Sequence, residues 1–273
     1  GWIAPQDLVK QLFKGAETTG RLRIKTNVKV NQLSQLYAED EKTKHETNKR
    51  GGWEIHTDQG TFKESVVVLA GGAEAINLDM LEQLPLTSTR GQVTSMRTHE
   101  EISPLSTVIC HKGYLTPQHK NIHCIGATFE KDSINIEPTA EDDDFNLNML
   151  DKCLPELVSW SKNDIATSKA RLRCMTPDHL PIVGPMPDIE AHKRDYAHLS
   201  KDKNWRYNQL PKVIPNMYVM TGFGARGLCT APLAADILLA DLCGTPYPVD
   251  NKRLFSLAAN RFVIRDITRR QFD

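Results

Sequence analysis

No charge of one sign dominates this chain. Its 34 Lys and Arg residues cancel against 34 Asp and Glu, so no global field draws it to nucleic acid or to a membrane surface. Any contact with a polyanion must rest on local patches. No apolar run approaches the roughly 18 residues of a membrane-spanning helix. The first residues, Gly1-Trp2-Ile3-Ala4-Pro5-Gln6-Asp7, have neither the basic start nor the apolar core of a secretion signal. An initiator Met is missing as well, and the expectation is that the chain is cut from something longer. There is no internal repeat. The cysteines are Cys110, Cys124, Cys153, Cys174, Cys229 and Cys243, and none forms a C-x-x-C pair. That spacing argues against zinc ligation. They read as buried free thiols in a reducing compartment, the cytoplasm.

What is present suits one large or two modest globular domains: 273 residues, 40% of them hydrophobic. Residues 5–20 read as a helix, with Pro5 in the first turn. Leu8, Val9, Leu12, Phe13 and Ala16 form one apolar stripe, and Gly20 suits the stop. Residues 21–30 read as a strand, and the charged stretch 38–52 as a loop. Residues 53–57 and 61–69 flank Asp58-Gln59-Gly60, a hairpin signal. Val66 to Ala70 is apolar on both faces, as a buried parallel strand would be, and it runs into Gly71-Gly72.

After Pro85 the texture changes. Short strands at 91–97, 107–110, 114–116 and 122–129 imply a mainly antiparallel sheet. Residues 140–154 read as a helix whose acidic first turn (Glu141, Asp142, Asp143, Asp144) complements the helix dipole. No ligand cluster nearby supports a metal site there. A strand at 170–176 is expected to return to the first unit. Residues 188–212 are polar, with six Lys and Arg residues among Tyr196, Trp205 and Tyr207. An apolar helix spans 231–242 and closes at Gly244. Arg261, Arg265, Arg269 and Arg270 follow, the first three at helical spacing on one face.

The stretch most suggestive of chemistry is 217–232. An apolar strand enters a turn with Gly222, Gly224 and Gly227, and a helix opens near Pro232. Glycines allow positive φ and close backbone approach to a ligand. A helix start offers unpaired N–H groups and a partial positive charge. An ordinary strand–turn–helix connection would look the same.

Three blocks in order narrow the choice: Ser65-Val66-Val67-Val68-Leu69-Ala70-Gly71-Gly72, then residues 171–187 with Cys174-Met175-Thr176-Pro177-Asp178-His179-Leu180-Pro181-Ile182-Val183-Gly184, then Gly222-Phe223-Gly224-Ala225-Arg226-Gly227-Leu228. Together the chain resembles the D-amino-acid-oxidase family of flavoproteins, which includes glycine and sarcosine oxidases. Arg90-Gly91-Gln92-Val93, Gly113 to Gln118, His123 to Phe129 and Asn260 to Arg265 narrow the resemblance further. They resemble a branch that bacterial tRNA-modifying proteins carry fused to a methyltransferase domain. The resemblance implies an α/β (α+β) architecture, with an incomplete Rossmann-like FAD-binding domain at 1–85 and 171–273 and a mainly antiparallel substrate domain at 86–170. It implies an FAD-dependent oxidase that removes the carboxymethyl group from 5-carboxymethylaminomethyl-(2-thio)uridine at the tRNA wobble position. A free amino-acid oxidase of the glycine or sarcosine type is the nearer alternative. An inactive truncated fragment is the alternative of another class.

The resemblance also implies residue roles. Arg173 matches the arginine that grips the substrate carboxylate, a task suited to a guanidinium fork. Its nearest competitor is Arg171, two residues along the strand. Tyr114 and Arg226 match positions near substrate or flavin. Val28 would meet the adenine, Ala70, Gly71 and Gly72 would border the pyrophosphate, and Gly222, Gly224, Ala225, Arg226, Gly227 and Leu228 would approach the flavin ring. Amine oxidation needs positioning rather than a base, so His111, His119, His123 and His179 read as structural or surface groups. The family's flavin domain opens with a strand, a G-x-G-x-x-G turn and a helix; this chain has none. These residues alone are therefore expected to hold FAD weakly or not at all. The expected partners are tRNA and a fused methyltransferase domain, with no metal and no membrane.

Overall fold

A computed structural model describes residues 2–36, 51–131 and 133–271. The loop expected at 38–52 lies outside the described residues except for Gly51 and Gly52. The chain divides into two compact units, Gly1–Ile24 with Ser88–Arg173 and Lys25–Thr87 with Cys174–Asp273. The amino-terminal helix therefore groups with the antiparallel unit, not with the unit that follows it in sequence.

In the first unit, α1 (Pro5–Glu17) starts on Pro5 at the expected place. Its apolar stripe is not buried: Val9, Leu12 and Phe13 all stand exposed. A six-stranded sheet has the order β10 (Ile165–Met175), β5 (Thr87–Arg97), β8 (Ile122–Gly126), β7 (Tyr114–Leu115), β6 (Ile109–Cys110), with β9 (Glu130–Lys131) also on β5. The strand expected at 170–176 is the end of β10, which pairs with β5, and from Cys174 onward the chain belongs to the second unit. The pleat divides the residues of β10, because successive side chains point to opposite faces. One face of the sheet carries Met96, Leu115 and Ile125 against Leu147 and Leu150 of α3 (Ala140–Cys153). Burying each such side chain contributes about 1.5–3 kcal/mol. The other face carries Gly91, Val93, Tyr114, Cys124 and the alternate residues Lys169, Arg171 and Arg173.

The acids that open α3 do more than complement its dipole. Thr139 caps the helix by accepting from the Asp142 N–H. Asp142 pairs with Arg90, whose side chain is only 2% exposed and also donates to the carbonyls of Asn135 and Glu137. Asp143 accepts from Gln92, Thr94 and Ser168, and Asp144 pairs with Lys162. The turn ties helix to sheet.

The second unit holds two sheets of three strands. One is antiparallel: β1 (Val30–Gln35), β2 (Trp53–Thr57), β3 (Gly60–Glu64). The strand expected at 21–30 is absent, and β1 begins where it was to end. The expected run 61–69 breaks at Ser65, because its second half joins a different sheet. That sheet has the order β11 (Ile182–Pro187), β12 (Val213–Thr221), β4 (Val67–Leu69), with β12 and β4 parallel; the short helices α2 (Asp79–Glu82) and α6 (Asn251–Leu257) belong to the same unit. In that sheet β4 pairs with one strand, and Val66 and Val68 are exposed while Val67 and Leu69 are buried. The expectation of burial on both faces fails here, because only one face packs on the core of Trp53, Leu81, Met217 and Phe262. The helix expected to open near Pro232 starts five residues earlier, as α5 (Gly227–Cys243), with Pro232 inside its early turns and Gly244 closing it at φ +65°. Among the cysteines only Cys174 is buried; Cys110, Cys229 and Cys243 are exposed and all six are free. No helix among the described residues is long and apolar enough to cross a membrane.

Candidate active site

Arg173 sits on the open face of the first unit's sheet, where the alternation of β10 puts it. Its Nη1 donates to the Thr128 carbonyl at 3.3 Å, and its guanidinium lies over the Phe129 ring, 5.5 Å from the centroid. No carboxylate among the described residues pairs with it. Burial pulls its pKa below the usual arginine value, and the nearby Tyr114 phenol works against that pull. A partly desolvated guanidinium with no acid beside it is a site prepared for an anion.

Gly91 makes that position possible. A Cβ built at Gly91 would stand 1.8 Å from Arg173 Nη1. The sequence shows Gly91 in the block Arg90-Gly91-Gln92-Val93, but nothing in one strand reveals that its missing side chain leaves room for an arginine from the next. Phe129 and Thr128 were likewise not picked from sequence. Tyr114 lies beside the arginine, and its hydroxyl would be 3.3 Å from a Cβ at Gly126. Burial pushes the Tyr114 phenol up, the Cys124 thiol adds to that, and Arg173 draws it down. Arg171 is exposed and donates to the carbonyl of Ala170. His123 is buried, with one ring nitrogen against Thr98 Oγ1 at 2.9 Å and the other against the Thr116 carbonyl at 2.8 Å. That placement is structural.

In the second unit the residues expected to meet a dinucleotide fall into two groups. Val28, Ala70 and Gly71 line one cavity of about 510 Å³, together with Leu33, Val67 and Leu78. Gly72 adjoins it at φ +64°. The other group follows β12. Because Val219 pairs with Leu69 in parallel register, the glycine turns after β4 and after β12 leave the same end of one sheet. The carboxyl ends of neighbouring parallel strands are where open α/β sheets receive ligands.

The turn after β12 is built for close approach. Gly222 has φ +74°, and a Cβ there would be 2.6 Å from Thr176 Cγ2; Gly224 has φ +55°, and a Cβ would be 2.9 Å from Met175 Sδ. The Gly224 N–H is tied to the Cys174 carbonyl at 2.8 Å. Arg226 is the N-cap of α5 and no side chain caps the helix, so its first N–H groups lack intrahelical partners. Ala225, Arg226 and Leu228 are exposed at the turn. These residues fit a flat, electron-rich ring laid on backbone N–H groups. Residues 222–227 also have the spacing G-x-G-x-x-G between a strand and a helix. That turn follows β12 late in the chain, and is not the opening strand–turn–helix of the family's flavin domain that is expected from sequence to be missing.

A family model described as DAO, FAD dependent oxidoreductase, matches residues 1–242. The chain belongs to this family. It is 34% identical to the tRNA 5-methylaminomethyl-2-thiouridine biosynthesis bifunctional protein MnmC of Pseudoalteromonas atlantica, over 99% of this chain and 39% of that protein. The protein of the same name from Aeromonas hydrophila is 32% identical over 98% of this chain and 38% of its own length. The chain thus spans about two fifths of these relatives. In fold it is similar to glycine oxidase from Geobacillus kaustophilus, with TM-score 0.63 and 19% identity over 86% of this chain and 52% of that one. The L-proline dehydrogenase of P. horikoshii gives TM-score 0.59 and 18% identity, over 86% of this chain and 54% of that one. An FAD-dependent oxidoreductase acting on C–N bonds is the activity class of this family.

The two basic regions singled out from sequence meet within the second unit. Ile189, Tyr196 and Leu199 from α4 (Ile189–Asp195) and the turn after it form one core with Val263 and Ile267 of α7 (Asn260–Arg269). Arg270 Nε donates to the Ser200 carbonyl at 2.9 Å. The arginines of α7 do not act as one face. Arg261 is bound by Asp178 at 2.9 and 3.0 Å and is 12% exposed, and Arg265 pairs with Asp266 over the Phe262 ring. Arg269 and Arg270 are exposed, as are Lys201, Lys203 and Arg206.

Proposed function

We propose that this chain is the oxidising part of a tRNA-modifying protein, and that it removes the carboxymethyl group from the 5-carboxymethylaminomethyl arm of a wobble uridine. The observation that carries this reading is Arg173: a half-buried guanidinium without an acidic partner among the described residues, held over Gly91 and beside Tyr114. The arm ends in a carboxylate, and a guanidinium fork binds a carboxylate with two parallel hydrogen bonds. FAD, when bound, would accept a hydride, with its two electrons, from the carboxymethyl carbon; water would then hydrolyse the resulting substrate imine, releasing glyoxylate and leaving the aminomethyl arm. Val28, Ala70, Gly71 and Gly72 would hold its adenosine and pyrophosphate side, and Gly222 to Leu228 its ring. Arg173 fixes the carboxylate, and Tyr114 and Phe129 shield that pair from water. Fixing one end of the arm orients the amine, which is where the rate comes from. The relatives of the same family named for tRNA 5-methylaminomethyl-2-thiouridine support the substrate, and their name, bifunctional, supports a fused methyltransferase. Lys201, Lys203, Arg206, Arg269 and Arg270 form the proposed tRNA-facing patch.

The test is Arg173→Ala in the full-length protein. Loss of a charge-assisted pair costs about 2–5 kcal/mol, so turnover of carboxymethylaminomethyl-bearing tRNA should fall by orders of magnitude with flavin content unchanged. Unchanged turnover at saturating tRNA removes Arg173 from this role. Turnover of free glycine at the rate of the tRNA substrate would favour an amino-acid oxidase.

A further inference from the structure

A glycine-sized substrate would occupy only a corner of the space beside Tyr114. A cavity of about 550 Å³ opens there in the first unit, between residues 2–7 and the open face of the sheet. Cavities of that size take whole nucleoside-sized ligands. We propose that it is the subsite for the pyrimidine base of the substrate nucleotide, a proposal that rests on the reading of Arg173 as carboxylate anchor.

The walls are those a base requires. Trp2 and His119 meet edge to face, with centroids 6.1 Å apart and an interplanar angle of 68°. Trp2 remains 42% exposed, so its ring is available to a stacking partner. Asp7 lies 3.4 Å from His119 Nε2 and steadies that ring. Single-stranded bases are recognised by stacking on such aromatic faces. Tyr114 and Val93 both line the cavity; each pairs with Gly126, and Val93 lies two residues along β5 from Gly91, the glycine under Arg173, so the sheet joins anchor to cavity. Lys169 lines the cavity as well and shares the face of β10 with Arg173, four residues or about 13 Å along the strand. An elongated ligand with a carboxylate at one end, a ring in the middle and a phosphate beyond it fits that rail. Lys120 adds a second cation at the rim, as phosphate contacts require. The cavity therefore selects for a nucleotide-borne arm over a free amino acid.

The experiment measures binding. Two probes are used on the purified protein: 5-carboxymethylaminomethyluridine, and iminodiacetate, which has the carboxylate and amine but no base. Affinities are read by saturation-transfer NMR, and the quench due to Trp2 by the fluorescence difference from Trp2→Phe. Trp2→Ala and His119→Ala should weaken the nucleoside by roughly 5- to 100-fold and leave iminodiacetate within about two-fold. Trp2→Phe, which keeps an aromatic face, should restore most of the affinity and shows that the segment still folds. Equal weakening of both probes, or none, overturns the subsite. If Arg173→Ala abolishes iminodiacetate binding while Trp2→Ala leaves the nucleoside unaffected, the anchor stands and the subsite falls. Failure of both probes to bind the parent protein overturns the anchor and the subsite with it.

Discussion

At the scale of single residues, the site depends on a side chain that is missing. Gly91→Ala would place a methyl group where Arg173 Nη1 now lies. The atom it meets is the end of a flexible side chain, so the arginine should move and the strand should not. The expected outcome is a carboxylate affinity reduced at least ten-fold, with a melting temperature close to that of the parent; binding of iminodiacetate and a thermal melt check both halves. Arg173→Lys keeps the charge but not the fork and should fall between parent and Arg173→Ala. His123 offers a pH test. Its burial lowers its pKa, against a smaller upward pull from the hydrogen bond to the Thr116 carbonyl. The folded value therefore lies below the unfolded value of about 6.5, and the unfolded chain takes up the proton first. Stability from this group is complete above that pH and is lost as pH falls through the folded pKa. Urea unfolding at about pH 7.5 and about pH 5.5 should show a larger loss in the parent than in His123→Gln.

At the scale of elements, two connections carry the units. The turn between β12 and α5 needs its glycines for conformation as well as space. Gly224→Ala would put an L-residue at φ +55° with its Cβ against Met175 Sδ, and the left-handed conformation alone costs about 1–2 kcal/mol. The expected result is a lower melting temperature together with weaker flavin retention in the full-length protein. The tie between α3 and β5 is a buried ion pair. Asp142→Ala leaves Arg90 without its closest charge, and breaking such a pair costs about 3–5 kcal/mol. Equilibrium unfolding should show that loss while Asp144→Ala, which frees only the exposed Lys162, changes stability by less than about 1 kcal/mol. The sequence showed the helix and its acidic turn. It did not show what each acid holds, since Arg90 and Asp142 are 52 residues apart.

At the scale of the molecule, a chain with no net charge can meet a polyanion such as the proposed tRNA substrate only through a local patch. Two basic stretches are candidates, 188–212 and the carboxyl-terminal arginines, and helical spacing alone favours the second. Packing changes that choice. Arg261 and Arg265 are engaged by Asp178 and Asp266, and Arg269 and Arg270 stand on the same packed body as the 197–206 stretch. Replacing Lys201, Lys203, Arg206, Arg269 and Arg270 with Gln should weaken tRNA binding. It should also flatten the salt dependence, by up to about one unit of slope for each phosphate no longer neutralised. Oxidation of a minimal nucleoside should be unaffected. An unchanged slope moves the tRNA surface elsewhere.

The sequence by itself determined the family, through short blocks whose glycines, prolines and arginines are local requirements of turns and strands. It also determined most of the elements of the antiparallel unit, because alternation and capping are read within a few residues. Tertiary structure alone decided which strands pair, that α1 groups with the sheet after Ser88, and that β4 is covered on one face. It also decided that Arg173 lies over Gly91 and that Trp2 and His119 wall a cavity. Each of these joins residues far apart in the chain, and pairing at a distance is fixed by which surfaces can be buried together, a property no single stretch of sequence contains.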